Sequence, residues 1–159
     1  MRVWFVLIFL VGSLWAKGEF TEKRYIYALD KTTIFKGSIV ITDDSTIVRY
    51  TSPEKKILTQ TGKTLTIEDV EAKTSQTIDL SKRIDMSLYF SFMRSINKKD
   101  FTGLKTYFEI NKEGNTYHLS PKSDVKRAIA KMEITMRNDE MKRMVIYFTN
   151  EDVIEIETL

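Results

Sequence analysis

The chain has 159 residues, with 25 Lys and Arg against 22 Asp and Glu, for a formal net charge of +3. Charges of both signs are dispersed, and no stretch interleaves basic and aromatic residues, which argues against a nucleic-acid partner. With no Cys anywhere, disulfides and thiolate chemistry are excluded, and stability rests on an ordinary apolar core.

Met1-Arg2 is followed by the apolar run Val3–Val11 and by small residues up to Ala16. One positive charge, a short apolar stretch and a small-residue exit are the parts of a secretory signal peptide. The run falls short of the ~20 apolar residues that a membrane span needs; the other reading is an uncleaved amino-terminal anchor. Cleavage is expected after Ala16, or after Gly18 with Ala16 at the −3 position. Residues 17–159 then form a single domain, large enough to bury about two-thirds of its unfolded surface. The protein is expected to work outside the cytoplasm.

From there the chain alternates apolar and polar residues in short runs separated by turn residues, the pattern of antiparallel sheet. Strands are predicted over 20–29, 33–42, 46–51, 56–61 and 64–69, with a weaker, polar one over 72–79. Asp43-Asp44-Ser45, Pro53-Glu54 and Thr61-Gly62-Lys63 supply turns. The period then changes: Ile84, Leu88, Phe92 and Ile96 repeat every four residues, predicting a helix over 84–97 with Ser81 and Asp85 as candidate caps. Only Ser87, Ser91, Arg94 and Ser95 make a polar strip on it. A helix apolar over more than half its girth must be covered on several sides. A short second turn is predicted near 101–105. Strands resume over 106–111 and 116–120, then 129–137, 141–149 and 152–158, making roughly ten in all.

Catalytic chemistry finds little support. His118 is the one histidine and faces away from Tyr117 and Leu119, as a surface strand residue does. No nucleophile motif, metal-ligand cluster or phosphate loop appears. No enzyme activity, cofactor or metal is expected.

What stands out is a two-faced sheet. Ile39 with Ile41, Val48 with Tyr50, Leu65 with Ile67, Phe108 with Ile110, and Tyr117 with Leu119 share one side. Met132, Ile134 and Met136 join them, as do Met144, Ile146 and Phe148. This is either an ordinary filled core or the wall of a cavity. Two features favour the cavity: one helix is short for covering so many strands, and every Met after residue 16 lies in the helix or the 129–149 hairpin. Flexible thioethers suit a surface that accepts varied apolar guests.

At this point the order of motifs resembles the LolA family, periplasmic carriers of outer-membrane lipoproteins. The likeness rests on Phe35-x-Gly37-x-Ile39-x-Ile41, Tyr50-x-x-Pro53, Thr61-Gly62-Lys63-Thr64-Leu65 and Tyr117-His118-Leu119-Ser120-Pro121-Lys122. It covers nearly all of residues 17–159 in order and spacing. The resemblance implies a mainly β fold: an open, strongly curved antiparallel half-barrel with a helical lid on its concave face. It also implies a periplasmic location and acyl-chain cargo, received from an inner-membrane lipoprotein-releasing transporter and passed to an outer-membrane acceptor. Two departures mark a short, divergent member. Phe20-Thr21-Glu22-Lys23-Arg24 enters the first strand almost directly, where the family begins with an amphipathic helix. Asp43-Asp44 occupies the place of an Arg-Pro pair whose Arg is tied to lid closure.

The expected cavity wall is Ile39, Ile41, Val48, Tyr50, Leu65, Ile67, Phe108, Ile110, Leu119, Met132, Ile134, Met136, Met144, Ile146 and Phe148. The expected lid is Leu88, Phe92, Met93 and Ile96. Two alternatives remain at this stage: carriage of another lipid-linked cargo such as a glycolipid or polyketide, or a non-enzymatic periplasmic sensor or scaffold module.

Overall fold

The period-two segments become strands wherever one side of the alternation can be buried together. The computed structural model describes residues 16–159, so residues 1–15 of the expected signal peptide lie outside the described residues, whereas Ala16 and Gly18, the two expected cleavage positions, lie in the first strand. Eleven strands are described: β1 (Ala16–Ile26), β2 (Lys31–Ile41), β3 (Ser45–Ser52), β4 (Lys56–Thr61), β5 (Thr64–Asp69), β6 (Thr74–Asp79), β7 (Phe108–Glu113), β8 (Thr116–Pro121), β9 (Ile129–Arg137), β10 (Glu140–Phe148) and β11 (Val153–Thr158). The one α-helix among the described residues, α1 (Ile84–Lys98), lies between β6 and β7 in the chain.

All eleven strands belong to one antiparallel sheet in the order β6-β5-β4-β3-β2-β1-β11-β10-β9-β8-β7. Neighbours follow the chain as hairpins, except that β1 closes onto β11. The edge strands β6 and β7 do not pair, so the sheet stays open. The segment joining them carries α1 from one edge to the other. Leu65 of β5 and Leu119 of β8, with seven strands between theirs in the sheet, nevertheless share one core with α1. The sheet is therefore curled around the helix, which matches the expected open, helix-covered half-barrel.

Register fixes what the concave side presents. Phe20 stands opposite Gly37, which stands opposite Tyr50. Glu22 lies between Phe35 and Ile156, and Ile154 sits opposite both Arg24 and Ile146. Residues directly opposite in a sheet point to the same face. Phe20, Glu22 and Arg24 thus point inward with the apolar residues of the neighbouring strands.

α1 buries Leu88, Phe90, Phe92, Met93 and Ile96. An isolated helix of this length is marginal in water. Those five side chains, at about 1.5–3 kcal/mol each, hold it in place. Leu80, Leu104 and Val125, from short 3-10 turns around it, complete the cover that its apolar girth demands.

Three local features differ from the sequence expectation. β1 begins earlier than expected and ends at Ile26, because residues Tyr27–Leu29 turn back in a 3-10 turn. The connector before β9 holds another such turn, Ser123–Arg127. Ser81 does not cap α1: its amide and hydroxyl both bond Asp79, which caps the 3-10 turn Leu80–Lys82. Asp85 lies inside the first helical turn, bonded twice by Arg83 at 3.2 and 3.0 Å.

Candidate functional site

The first half of α1 does not fill the space beneath it. A cavity of about 320 Å³ lies between that half, the inner sheet and the turn Ser123–Arg127. Its apolar walls include Leu58, Leu88, Phe92, Ile129, Ile146, Phe148 and Ile154, and Met86 and Phe90 also contribute. Exposed Ile84, Asp85 and Asp124 reach it from the outside.

The expected site residues divide accordingly. Tyr50, Ile146 and Phe148 of the expected wall line this cavity, with Leu88 and Phe92 of the expected lid. Ile41, Val48, Leu65, Phe108, Leu119, Met132, Ile134 and Met144 are buried in the continuous core, against which Ile39, Ile67, Ile110 and Met136 are partly buried. Met93 and Ile96 are buried there too, so the second half of the helix sits on filled core. The division follows side-chain supply. Beneath the second half, large residues such as Phe108 and Met132 occupy the cleft, whereas small Ala128 and the charged residues of β1 leave room at the other end.

One wall of this apolar space is polar, and sequence reasoning missed it. Glu22 is completely buried, ion-paired with Arg24, and accepts a 2.9 Å hydrogen bond from the Tyr50 hydroxyl. Arg24 Nη2 donates to the same hydroxyl at 3.0 Å, while its guanidinium lies 4.3 Å from the centre of the Phe35 ring. The Tyr89 hydroxyl, from α1, is buried beside these groups without a well-formed hydrogen bond. Burial and then the Glu22 charge push the Tyr50 hydroxyl well above its ordinary range. Burial and then the neighbouring Tyr50 do the same to Tyr89. Burial pulls the Arg24 guanidinium down, but the charge and hydrogen bond of Glu22 together with the Tyr50 hydroxyl more than offset it, so the cation is favoured. The signal was present in the sequence: strict alternation from Phe20 puts Glu22 and Arg24 on its side.

Beyond this cluster the cavity adjoins a wider, polar recess of about 730 Å³. Glu54, Lys56, Asp69, Thr74, Ser75 and Gln76 line it. Arg24, Tyr50, Leu58 and Met86 border both spaces.

At the far end of the helix, Arg94 reaches from α1 to the β2–β3 turn. Its Nη1 donates to the carbonyl oxygens of Thr42 at 3.1 Å and Asp43 at 3.3 Å. This is the turn where Asp43-Asp44 stands in the sequence. An arginine does tie the helix to it, but from the helix side.

His118 stands away from the cavity, 3.7 Å from Glu113 and 3.9 Å from Glu133. Among the described residues, no three His, Cys, Asp or Glu side chains are grouped to hold a metal. None of the described helices is long and apolar enough to cross a membrane.

No protein-family profile matches the chain, and no curated protein matches it in sequence. Solved structures similar to it include a DUF1329 family protein from Desulfovibrio piger, with a TM-score of 0.46 and 10% identity over 94% of this chain and 85% of that one. Another is a "putative outer membrane lipoprotein-sorting protein domain" from Vibrio parahaemolyticus, with a TM-score of 0.43 and 8% identity over 91% of this chain and 83% of that one.

Proposed function

We propose that the protein is a periplasmic carrier that shelters lipid acyl chains, in the manner of the LolA family that its motifs resemble. The observation that carries this reading is the apolar cavity of about 320 Å³ between α1 and the curled sheet. A methylene needs about 30 Å³, the volume that a water molecule takes up in the liquid. The cavity as it stands therefore suits ~10 methylenes of a single chain.

Larger cargo requires α1 to move, and the energies allow it. Taking its five buried side chains out of the cleft costs on the order of 10 kcal/mol. A sixteen-carbon chain entering in their place returns ~12 kcal/mol at ~0.8 kcal/mol per methylene. Terms this close permit both loading and release, as a carrier needs. In this reading Leu88, Phe92, Met93 and Ile96 form the lid, and acyl chains replace them against Ile134, Met136, Ile146 and Phe148. The chain would be secreted through residues 1–16, loaded with lipoprotein at the inner membrane by a releasing transporter, and unloaded at an outer-membrane acceptor. No cofactor takes part.

Native mass spectrometry of the protein released from the periplasm tests this. Co-purified lipid or lipopeptide is expected; protein that stays empty in the presence of excess acylated lipopeptide rules the carrier out.

A further inference from the structure

A purely apolar cavity would hold a tail with no regard for what the tail is attached to. This one ends on Arg24, at the border with the polar recess. A guanidinium has five N–H donors. The bonds to Glu22 and Tyr50 occupy two of them. The remaining donors belong to a side chain whose charge is already matched, because Glu22 is fully buried against it.

Donors without net charge suit an uncharged acceptor. A carbonyl oxygen entering here gains hydrogen bonds and loses little hydration. An ionised carboxylate loses much more hydration and lies beside the Glu22 carboxylate, a like charge that is itself fully buried. The recess beyond balances Lys56 against Glu54 and Asp69, so it offers a free anion no surplus positive charge.

We propose that Arg24, neutralised by Glu22, forms a carbonyl-binding site at the end of the acyl cavity that selects ester- or amide-linked chains over free fatty acids. The linked head group then occupies the polar recess. This inference rests on the carrier reading and names the class of cargo that the reading leaves open.

Competition against an apolar fluorescent dye bound to the protein tests it, using methyl palmitate, N-methylpalmitamide and palmitate at pH 7.4. The wild type is expected to bind the ester and the amide at least tenfold more tightly than palmitate. Glu22→Gln leaves Arg24 charged and unmatched, so palmitate is expected to become the tightest of the three. Palmitate binding as well as the neutral ligands to the wild type, or an unchanged preference in Glu22→Gln, overturns the site but leaves the carrier standing. Failure of all three ligands to bind the wild type removes both. Should Glu22→Gln not fold, Arg24→Lys keeps the charge and loses the planar fork. It is expected to weaken ester binding at least fivefold, and undiminished ester binding overturns the site. The amide carbonyl is the stronger acceptor and is expected to bind somewhat more tightly than the ester; either order supports the site.

Discussion

The Phe20 ring packs against Gly37 so closely that a β-carbon on Gly37 would lie 2.9 Å from Phe20 Cζ and 2.4 Å from the Arg49 carbonyl oxygen. The two residues stand opposite each other in β1 and β2. The missing side chain of one makes the space for the ring of the other. Phe20, buried to 1% exposure, then meets the Tyr50 ring edge-on at 5.7 Å, which fixes the wall that bears Glu22.

Gly37→Ala is therefore expected to cost about 2–3 kcal/mol, the upper part of the range for forcing extra atoms into a filled core, because the clash is with backbone. At this chain length that lowers the melting temperature by roughly 4–12 °C. Gly103→Ala, which meets nothing within 4 Å, serves as the control and should leave it nearly unchanged. Thermal denaturation followed by circular dichroism compares them, and equal melting temperatures would show that the contact is relaxed in solution.

Tyr50 and Tyr89 set an alkaline limit. Burial raises both hydroxyls above their ordinary value of 10.0. A group whose pKa is raised by folding gives its full stabilisation below the unfolded value and loses it as pH climbs above that. Stability is thus expected to hold up to about pH 10 and then fall by ~1.4 kcal/mol per pH unit for each such tyrosine. Denaturant unfolding between pH 9 and 11 measures the slope, which Tyr89→Phe should reduce by one tyrosine's share. An identical slope in that variant contradicts the assignment.

The lid has a direct test because the chain contains no Cys. Phe92 on α1 and Ile146 on β10 line the cavity from facing elements. Cysteines at both positions are expected to crosslink in the empty protein and to abolish uptake of a fluorescent acyl lipopeptide, with reduction restoring it. Normal uptake with the bridge closed would mean that α1 stays in place during loading.

Arg94 is expected to set how readily the helix leaves. Its bonds to Thr42 and Asp43 are charge-assisted and partly exposed, so Arg94→Ala should cost about 1–2 kcal/mol. Amide hydrogen exchange should then quicken across residues 84–98 while β9 and β10 keep their protection. Unchanged exchange in the helix would show that Arg94 does not hold it.

The sequence by itself determined the local structure and the facing of side chains. Period-two alternation located the strands, the four-residue repeat from Ile84 located α1, and the lack of polar residues on α1 required cover on several sides. These are properties of short segments, since a strand or helix assigns its faces through its own geometry. Where motifs followed one another in order, the open curled sheet was legible as well.

Tertiary structure alone decided the rest. β1 pairs with β11 across most of the chain's length, and that pairing turns a meander into a trough. Glu22 was legible as inward-facing, yet its burial depends on Arg24, Phe35, Tyr50 and α1 meeting around it. Arg94 reads as part of a solvated helix strip, yet it reaches a turn some fifty residues earlier. The division between filled core and cavity is likewise invisible in sequence, because Met132 and Ile146 are equally apolar there. Alternation specifies which way a side chain points, and only the packing of distant segments specifies what it meets.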